Sequence, residues 1–428
     1  MPPVASSVGM PWDVPIGDPV QALADARASL GDTFVVDSGD DRFLFTFSPT
    51  GVSAFYGLPE ERASKGVADW RMLRRKLPDE VFIGRRTLPH ALFGREDVGA
   101  YLANVERALD VTVDELDPAG ETDLFGLTRR LGHRIGLASW GGPDSAVGQR
   151  FDRLVEALDT LDGAEAFVHP DAMAAVAATH KSSERRALGV VTAALGASLD
   201  ELPADGSDHP LFERIAGAWA DQPPDERRTG VALDVTLIHV ASMSNLFAAL
   251  GWALVDLLAH PEQASRVRGG DRALAESCAL ESIRLSQRSI MSRYVLSPVS
   301  LDVGGVVHLV SPGATIATLL PLTNVSAAPG LEEWDPGRWR RRRLADGSQL
   351  AAVELVTSFG HGRHTCPAQP FSLAAMAVAV TRLLDRLDLE PGWVGRPAPV
   401  RAQIGGVARA GGPCPVRYRR RVSPGPSA

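Results

Sequence analysis

The chain is poor in cysteine and in lysine. Its 428 residues hold three cysteines, Cys278, Cys366 and Cys414. They are too few and too scattered for a disulfide framework, and no C-x-x-C pair suggests a structural zinc site. So few thiols fit a reducing cytoplasm. Lysine occurs only at Lys65, Lys76 and Lys181, and the net charge is −8, so bulk electrostatics argue against a nucleic-acid binder. The opening stretch, MPPVASSVGMPWDVPIG, has no basic segment followed by an apolar run, and no signal peptide is expected. Long apolar runs without interruption are also missing. The longest, 231–259, carries Asp234, His239, Asn245 and Asp256, which points to a buried helix rather than a membrane span. There is no internal repeat and no linker-like break in composition. One domain over 1–428 is expected, with an irregular, proline-rich arm over 1–17.

What is present is mostly helical. Asp18 as cap, Pro19 in the first turn and Gly31 as stop predict a first helix. TFVVDSGDDRFLFTFS predicts a hairpin around Ser38, Gly39 and Asp40. From there to about Leu285 the apolar spacing is that of helices. The longest is expected over 230–259 and would span about 45 Å. After Arg284 the texture turns β-rich, then come a loop with WDPGRWRRRRL, the stretch FGHGRHTCPAQPFS, a further helix and a tail of short strands. The fold class is mainly α: a helical bundle with a long central helix and small β-sheets.

One of the three cysteines stands inside FGHGRHTCPAQPFS. Gly360 and Gly362 allow positive φ and close approach to a flat object. Cys366 precedes a helix whose first amides favour a thiolate, and Arg363 and His364 supply positive charge or donors. A thiolate so held is a good ligand for a haem iron with anionic propionates; an isolated cysteine in a turn is the plainer alternative.

The pattern Phe359-x-x-Gly362-x-His364-x-Cys366-x-Ala368 resembles the haem-binding signature of the cytochrome P450 family. Upstream, Glu281-Ser282-Ile283-Arg284 is similar to that family's Glu-x-x-Arg, and WDPGRW resembles the segment whose arginine, here Arg338, locks the pair. The resemblance implies the cytochrome P450 fold and haem b, with Cys366 as axial iron ligand and Phe359, Gly362 and Ala368 around it. Arg293 and His364 are implied at the propionates, with a third contact from 82–97, where Arg86 and His90 are favoured over Arg85 and Arg95. Pro367 departs from the usual pattern, since it has no amide hydrogen to offer the sulfur.

The central helix departs further. Where the family's hydroxylases carry an acid followed by threonine, this chain has Ala241-Ser242-Met243-Ser244-Asn245. Ser242 is expected to bond a carbonyl one turn back, while Asn245 neither ionises nor readily passes a proton. The stretch resembles that of prostacyclin synthase and the sterol 7α-hydroxylases. Ser242, Ser244 and Asn245 are the catalytic candidates. Phe82, Leu88, Phe93, Ala241, Met243, Leu246, Ile290 and Met291 are expected to line the pocket, with a turn at 404–405 closing it. His239 reads as a core histidine.

The activity implied is oxidation of a small organic molecule in specialised metabolism, with O2 and electrons from a ferredoxin- or flavodoxin-type partner. The arginine run 340–343 is a candidate docking patch and equally a solvated loop. The alternative is a haem-thiolate enzyme that is no monooxygenase: a peroxide isomerase or dehydratase, or one using peroxide or nitric oxide. A cytoplasmic protein without a membrane anchor is expected either way.

Overall fold

The computed structural model describes residues 2–87, 94, 97–203 and 208–421. Fourteen α-helices and four small sheets make up these residues, the mainly α architecture expected. The first helix, Pro19–Leu30, begins where Asp18 accepts the Gln21 N–H and ends at Gly31, as its capping residues dictate. The hairpin forms with Thr33–Ser38 antiparallel to Asp41–Thr46. It belongs to a larger sheet, because Asp41–Thr46 also runs parallel to Thr315–Leu319, which in turn pairs with Ile290–Val295 and so joins the early hairpin to the later β-rich segment.

The central helix runs Pro224–Ala259, 36 residues or about 54 Å. It starts six residues earlier than expected at 230. The apolar pattern begins late, but Pro224 in the first turn with Asp225 and Glu226 behind it is a good helix N-terminus. It is the one described helix long and apolar enough to cross a membrane, yet 78% of its apolar window is buried inside the fold. It packs against the helices Leu124–Trp140, Ser182–Asp200 and Arg272–Ser286, each fully buried Val, Leu, Ile or Phe contributing about 1.5–3 kcal/mol.

One feature of this helix positions everything else. From Gly230 to Leu257 every residue is buried except Ala241, Ser242, Ser244 and Asn245. Protein interiors rarely leave such gaps, so an exposed alanine at the centre of a core helix marks a site rather than a packing surface.

Candidate functional site

The cysteine loop is held from behind by a buried polar network. Glu281 and Arg284, both 0% exposed, lie one turn apart on the helix Arg272–Ser286, and their bidentate pair measures 2.9 and 2.7 Å. Glu281 also accepts from Arg338 Nε at 3.2 Å, Trp339 Nε1 at 2.8 Å and the Asp335 amide at 3.2 Å. Arg284 donates to the Asn324 carbonyl at 2.7 Å. Asn324 grips Thr357 through its N–H and C=O, and the Thr357 hydroxyl donates to Gly360 O at 3.1 Å. The three side chains Glu281, Arg284 and Arg338 therefore meet, and their network ends on the first glycine of the loop.

Gly360 has φ +79°, and a β-carbon there would stand 2.7 Å from the His364 carbonyl, so the turn requires glycine. Gly362 has φ +58° and opens a short 3-10 turn that includes His364. The Cys366 N–H returns to Phe359 O at 2.8 Å, and helix Gln369–Arg386 follows with Ala368 as its cap. Burial pushes the Cys366 thiol up, while the nearby N–H groups of Ala368 and Gln369 and the charge of Lys65 pull it back; the Gln369 N–H closes the turn on Cys366 O at 3.1 Å. Pro367 contributes no donor, so both amides come from further along. Burial pushes Cys278 up to about 12 and Cys414 up to about 11, which makes them inert core thiols. The donor set around Cys366 fits a thiolate ligand.

Arg293 is buried. It donates to Ala63 O at 2.8 Å, Phe55 O at 3.0 Å and Glu60 Oε2 at 3.3 Å. His364 Nε2 lies 3.9 Å from the same Glu60 oxygen, so the structure brings these two candidates to one place. Burial, then the Arg293 charge, pulls the His364 pKa down. Arg293 keeps two of its five N–H hydrogens for other acceptors. Arg86 does not join them: it pairs with Asp221, donates to Ala218 O and lies over the Trp219 ring. Trp219 packs on Gly230, about 16 Å along the helix from Ala241. The structure thus places Arg86 near the start of the central helix, apart from Arg293 and His364. Arg85 likewise sits by buried Asp234. His90, Leu88 and Phe93 lie outside the described residues.

The central helix carries the four open positions, Ala241, Ser242, Ser244 and Asn245. Ser242 donates to Ile238 O one turn back, as its position predicts. Asn245 does something local pattern could not show. Its Oδ1 accepts the Val407 N–H at 2.8 Å, tying the helix to the turn 404–407. Gln403 closes the same turn through Gly405 O and Val407 O. Val407 bridges to Gln287, whose amide reaches Ser358 O at 2.8 Å. The helix and the cysteine loop are thereby connected. Met243 and Leu246 are buried in the apolar cluster on which Phe359 and Phe82 pack. Along their strand Ile290 and Met291 point to opposite faces: Ile290 joins the cluster of Ile404, and Met291 lies beside Gly360.

His239 is a core histidine with a partner the sequence hid. Its Nε2 lies 2.9 Å from His133 Nδ1, and His133 Nε2 lies 3.0 Å from Asp159 Oδ1. In the neutral pair Asp159 accepts from His133, and His133 accepts from His239. Burial, then the nearby His133, holds the His239 pKa well below the ordinary imidazole range. Asp159, Asp162 and His133 were missed by sequence reasoning; two acids three apart before Gly163, at the end of helix Gly148–Asp162, were the available signal.

No family model matches the chain. It is 25% identical over 213 residues to 24-hydroxycholesterol 7-alpha-hydroxylase of Homo sapiens, covering 44% of this chain and 43% of that one. It is 26% identical over 214 residues to cytochrome P450 monooxygenase pyr3 of Aspergillus fumigatus, covering 45% and 40%, so it spans less than half the length of either. With cytochrome P450 81F2 of Arabidopsis thaliana it is 24% identical, covering 75% of this chain and 67% of that one. Among solved structures, CYP175A1 from Thermus thermophilus superposes with a TM-score of 0.64 at 20% identity, covering 93% and 94%. A six-coordinated cytochrome P450 from another strain of Thermus thermophilus gives 0.59 at 19%, covering 93% and 96%.

Proposed function

We propose that the chain, which has the cytochrome P450 fold and resembles cytochrome P450s in sequence, is a haem-thiolate monooxygenase acting on a small organic molecule. The observation that carries the reading is half-buried Cys366, whose N–H returns to Phe359 O at the start of helix Gln369–Arg386, in a loop fixed by the Glu281–Arg284–Asn324–Thr357 network. Cys366 would hold the iron of haem b, with His364 and Arg293 at the propionates. Such a haem, when bound, supplies oxygen activation assisted by electron donation from the sulfur.

The rest falls to the chain itself. The open stretch Ala241–Ser242 and Ser244–Asn245 borders the reaction space, and Met243 and Leu246 keep the helix beside it dry. Ser242 holds the helix in place, and Asn245 fixes the turn that closes the pocket. Largely apolar walls with few polar groups suit a small, mostly apolar substrate; one relative is named for hydroxylating an oxysterol, and oxidation in specialised metabolism is in keeping with this. The same cluster of buried side chains draws from Leu77 to Tyr418, which supports a single domain. Electrons would arrive from a ferredoxin- or flavodoxin-type protein.

Product formation from a candidate substrate that requires O2, a reductase and a ferredoxin is the expected result. Turnover of an organic hydroperoxide without electrons, and none with them, would instead establish the isomerase or dehydratase alternative.

A further inference from the structure

The first half of the central helix carries buried polar groups that the cysteine site does not use. Asp234 is fully buried. One of its carboxylate oxygens is satisfied: Oδ2 accepts the Thr87 N–H at 3.0 Å and Trp219 Nε1 at 2.8 Å. The other is not. Oδ1 has no hydrogen-bond partner among the described residues, and neither have two further buried atoms, Arg85 Nε and Thr87 Oγ1. Arg85 Nε stands 3.8 Å from Oδ1, too far for a hydrogen bond, while Arg85 Nη2 donates to the Thr87 carbonyl at 3.2 Å. Thr87 is thus held at both its N–H and its C=O, and three residues in mutual contact each leave one polar atom orphaned. Native structures leave few such atoms, and three together call for a partner from outside the fold.

Chemistry narrows that partner. Arg85 Nε–H only donates, a carboxylate oxygen only accepts, and the Thr87 hydroxyl does either. An anion would be repelled by Asp234 and a cation by Arg85. A hydroxyl suits both, because its oxygen accepts from Arg85 and its hydrogen goes to Asp234. An oxygen about 2.9 Å from each atom closes a triangle on the 3.8 Å gap. Position links the group to the reaction space. Asp234 precedes Ala241 by seven residues and Asn245 by eleven, within about 20° of two and three full turns. All three therefore share one stripe of the helix, with Asp234 about 10 Å from Ala241 along the axis.

We propose that Arg85, Thr87 and Asp234 form a subsite for a hydroxyl group of the substrate. This rests on the monooxygenase reading and deepens it: the substrate is an alcohol whose apolar body reaches from Asp234 to the open stretch at Ala241, so that oxidation falls on a carbon roughly 10 Å from the hydroxyl. Water carries the same hydrogen-bonding chemistry, and a titration separates the two.

The probes are straight-chain primary alcohols of increasing length and the methyl ether of each, titrated into the haem-loaded protein and read by the spin state of the iron. The ether keeps the acceptor for Arg85 and loses the hydrogen for Asp234. Affinity should peak at chains that span roughly 10 Å, with the alcohol about tenfold tighter than its ether. Asp234→Asn should erase that preference. Its amide oxygen takes the place of Oδ2, which faces two donors, and its amide nitrogen then offers a donor where Oδ1 accepted. Thr87→Val should reduce the preference. Equal affinities in the native protein, as a resident water alone would give, overturn the proposal. So does a preference that Asp234→Asn or Thr87→Val leaves unchanged, or an alcohol whose spectral shift is that of a hydroxyl bound to the iron. The carbon-monoxide spectrum of the reduced protein keeps this apart from the underlying reading: without its red shift the haem-thiolate assignment fails, and with the shift present a missing preference defeats the subsite alone.

Discussion

The carboxamide oxygen of Asn245 accepts the backbone N–H of Val407 at 2.8 Å, so the midpoint of the core helix is tied to the turn 404–407. Asn245→Ala should free the turn and cost about 1 kcal/mol of ordering, read as several-fold weaker substrate binding in a spin-state titration. Asn245→Asp keeps the acceptor and should keep the affinity. Gly406→Ala should act like Asn245→Ala, because its β-carbon would stand 2.5 Å from Asn245 Oδ1 at φ +63°.

Glu281→Gln should be among the most damaging single substitutions. The carboxylate is fully buried and accepts from Arg284, Arg338, Trp339 and the Asp335 amide. Leaving Arg284 without its counter-charge should cost about 3–5 kcal/mol. The melting temperature should drop and haem content with it, since the network ends on Gly360. Arg284→Lys cannot reproduce the bidentate pair and should fall on the same side.

His239 carries a pH signature. Its folded pKa is held well below the ordinary imidazole value by burial and His133. The unfolded chain therefore binds more protons, and stability falls as pH drops below about 6.5. His239→Phe should flatten that decline in urea titrations across pH. Asp162 works in the opposite sense: its raised pKa favours the fold at low pH, a contribution lost as pH rises through about 6. The difference between native protein and His239→Phe isolates the histidine.

Much of the fold and half of the site were legible in the sequence, for physical reasons. Caps at Asp18 and Gly31, the hairpin, and the Glu281–Arg284 spacing are local, and local chemistry decides them. The cysteine loop was legible because its glycines and thiol are contiguous. The tether from Asn245 to Val407 and the pairing of His133 with His239 join residues far apart in sequence, and nothing local marks them. Arg86 shows the same limit from the other side: a basic residue in the expected segment is captured by Trp219 and Asp221.

The arginine run is partly spent. Arg342 pairs with Glu276 at 2.9 and 3.0 Å, whereas Arg340, Arg341 and Arg343 are exposed. If an acidic electron donor docks there, Arg341→Glu with Arg343→Glu should slow reduction strongly at low salt and little at high salt. Equal rates at both ionic strengths would assign the run to a solvated loop.

The whole account rests on the Cys366 sulfur, and carbon monoxide reads it directly. Protein reconstituted with haem and reduced under carbon monoxide should show the red-shifted Soret band of a thiolate-ligated haem, and Cys366→Ala should abolish it. A native protein without that shift, or an alanine variant that keeps it, would contradict the assignment.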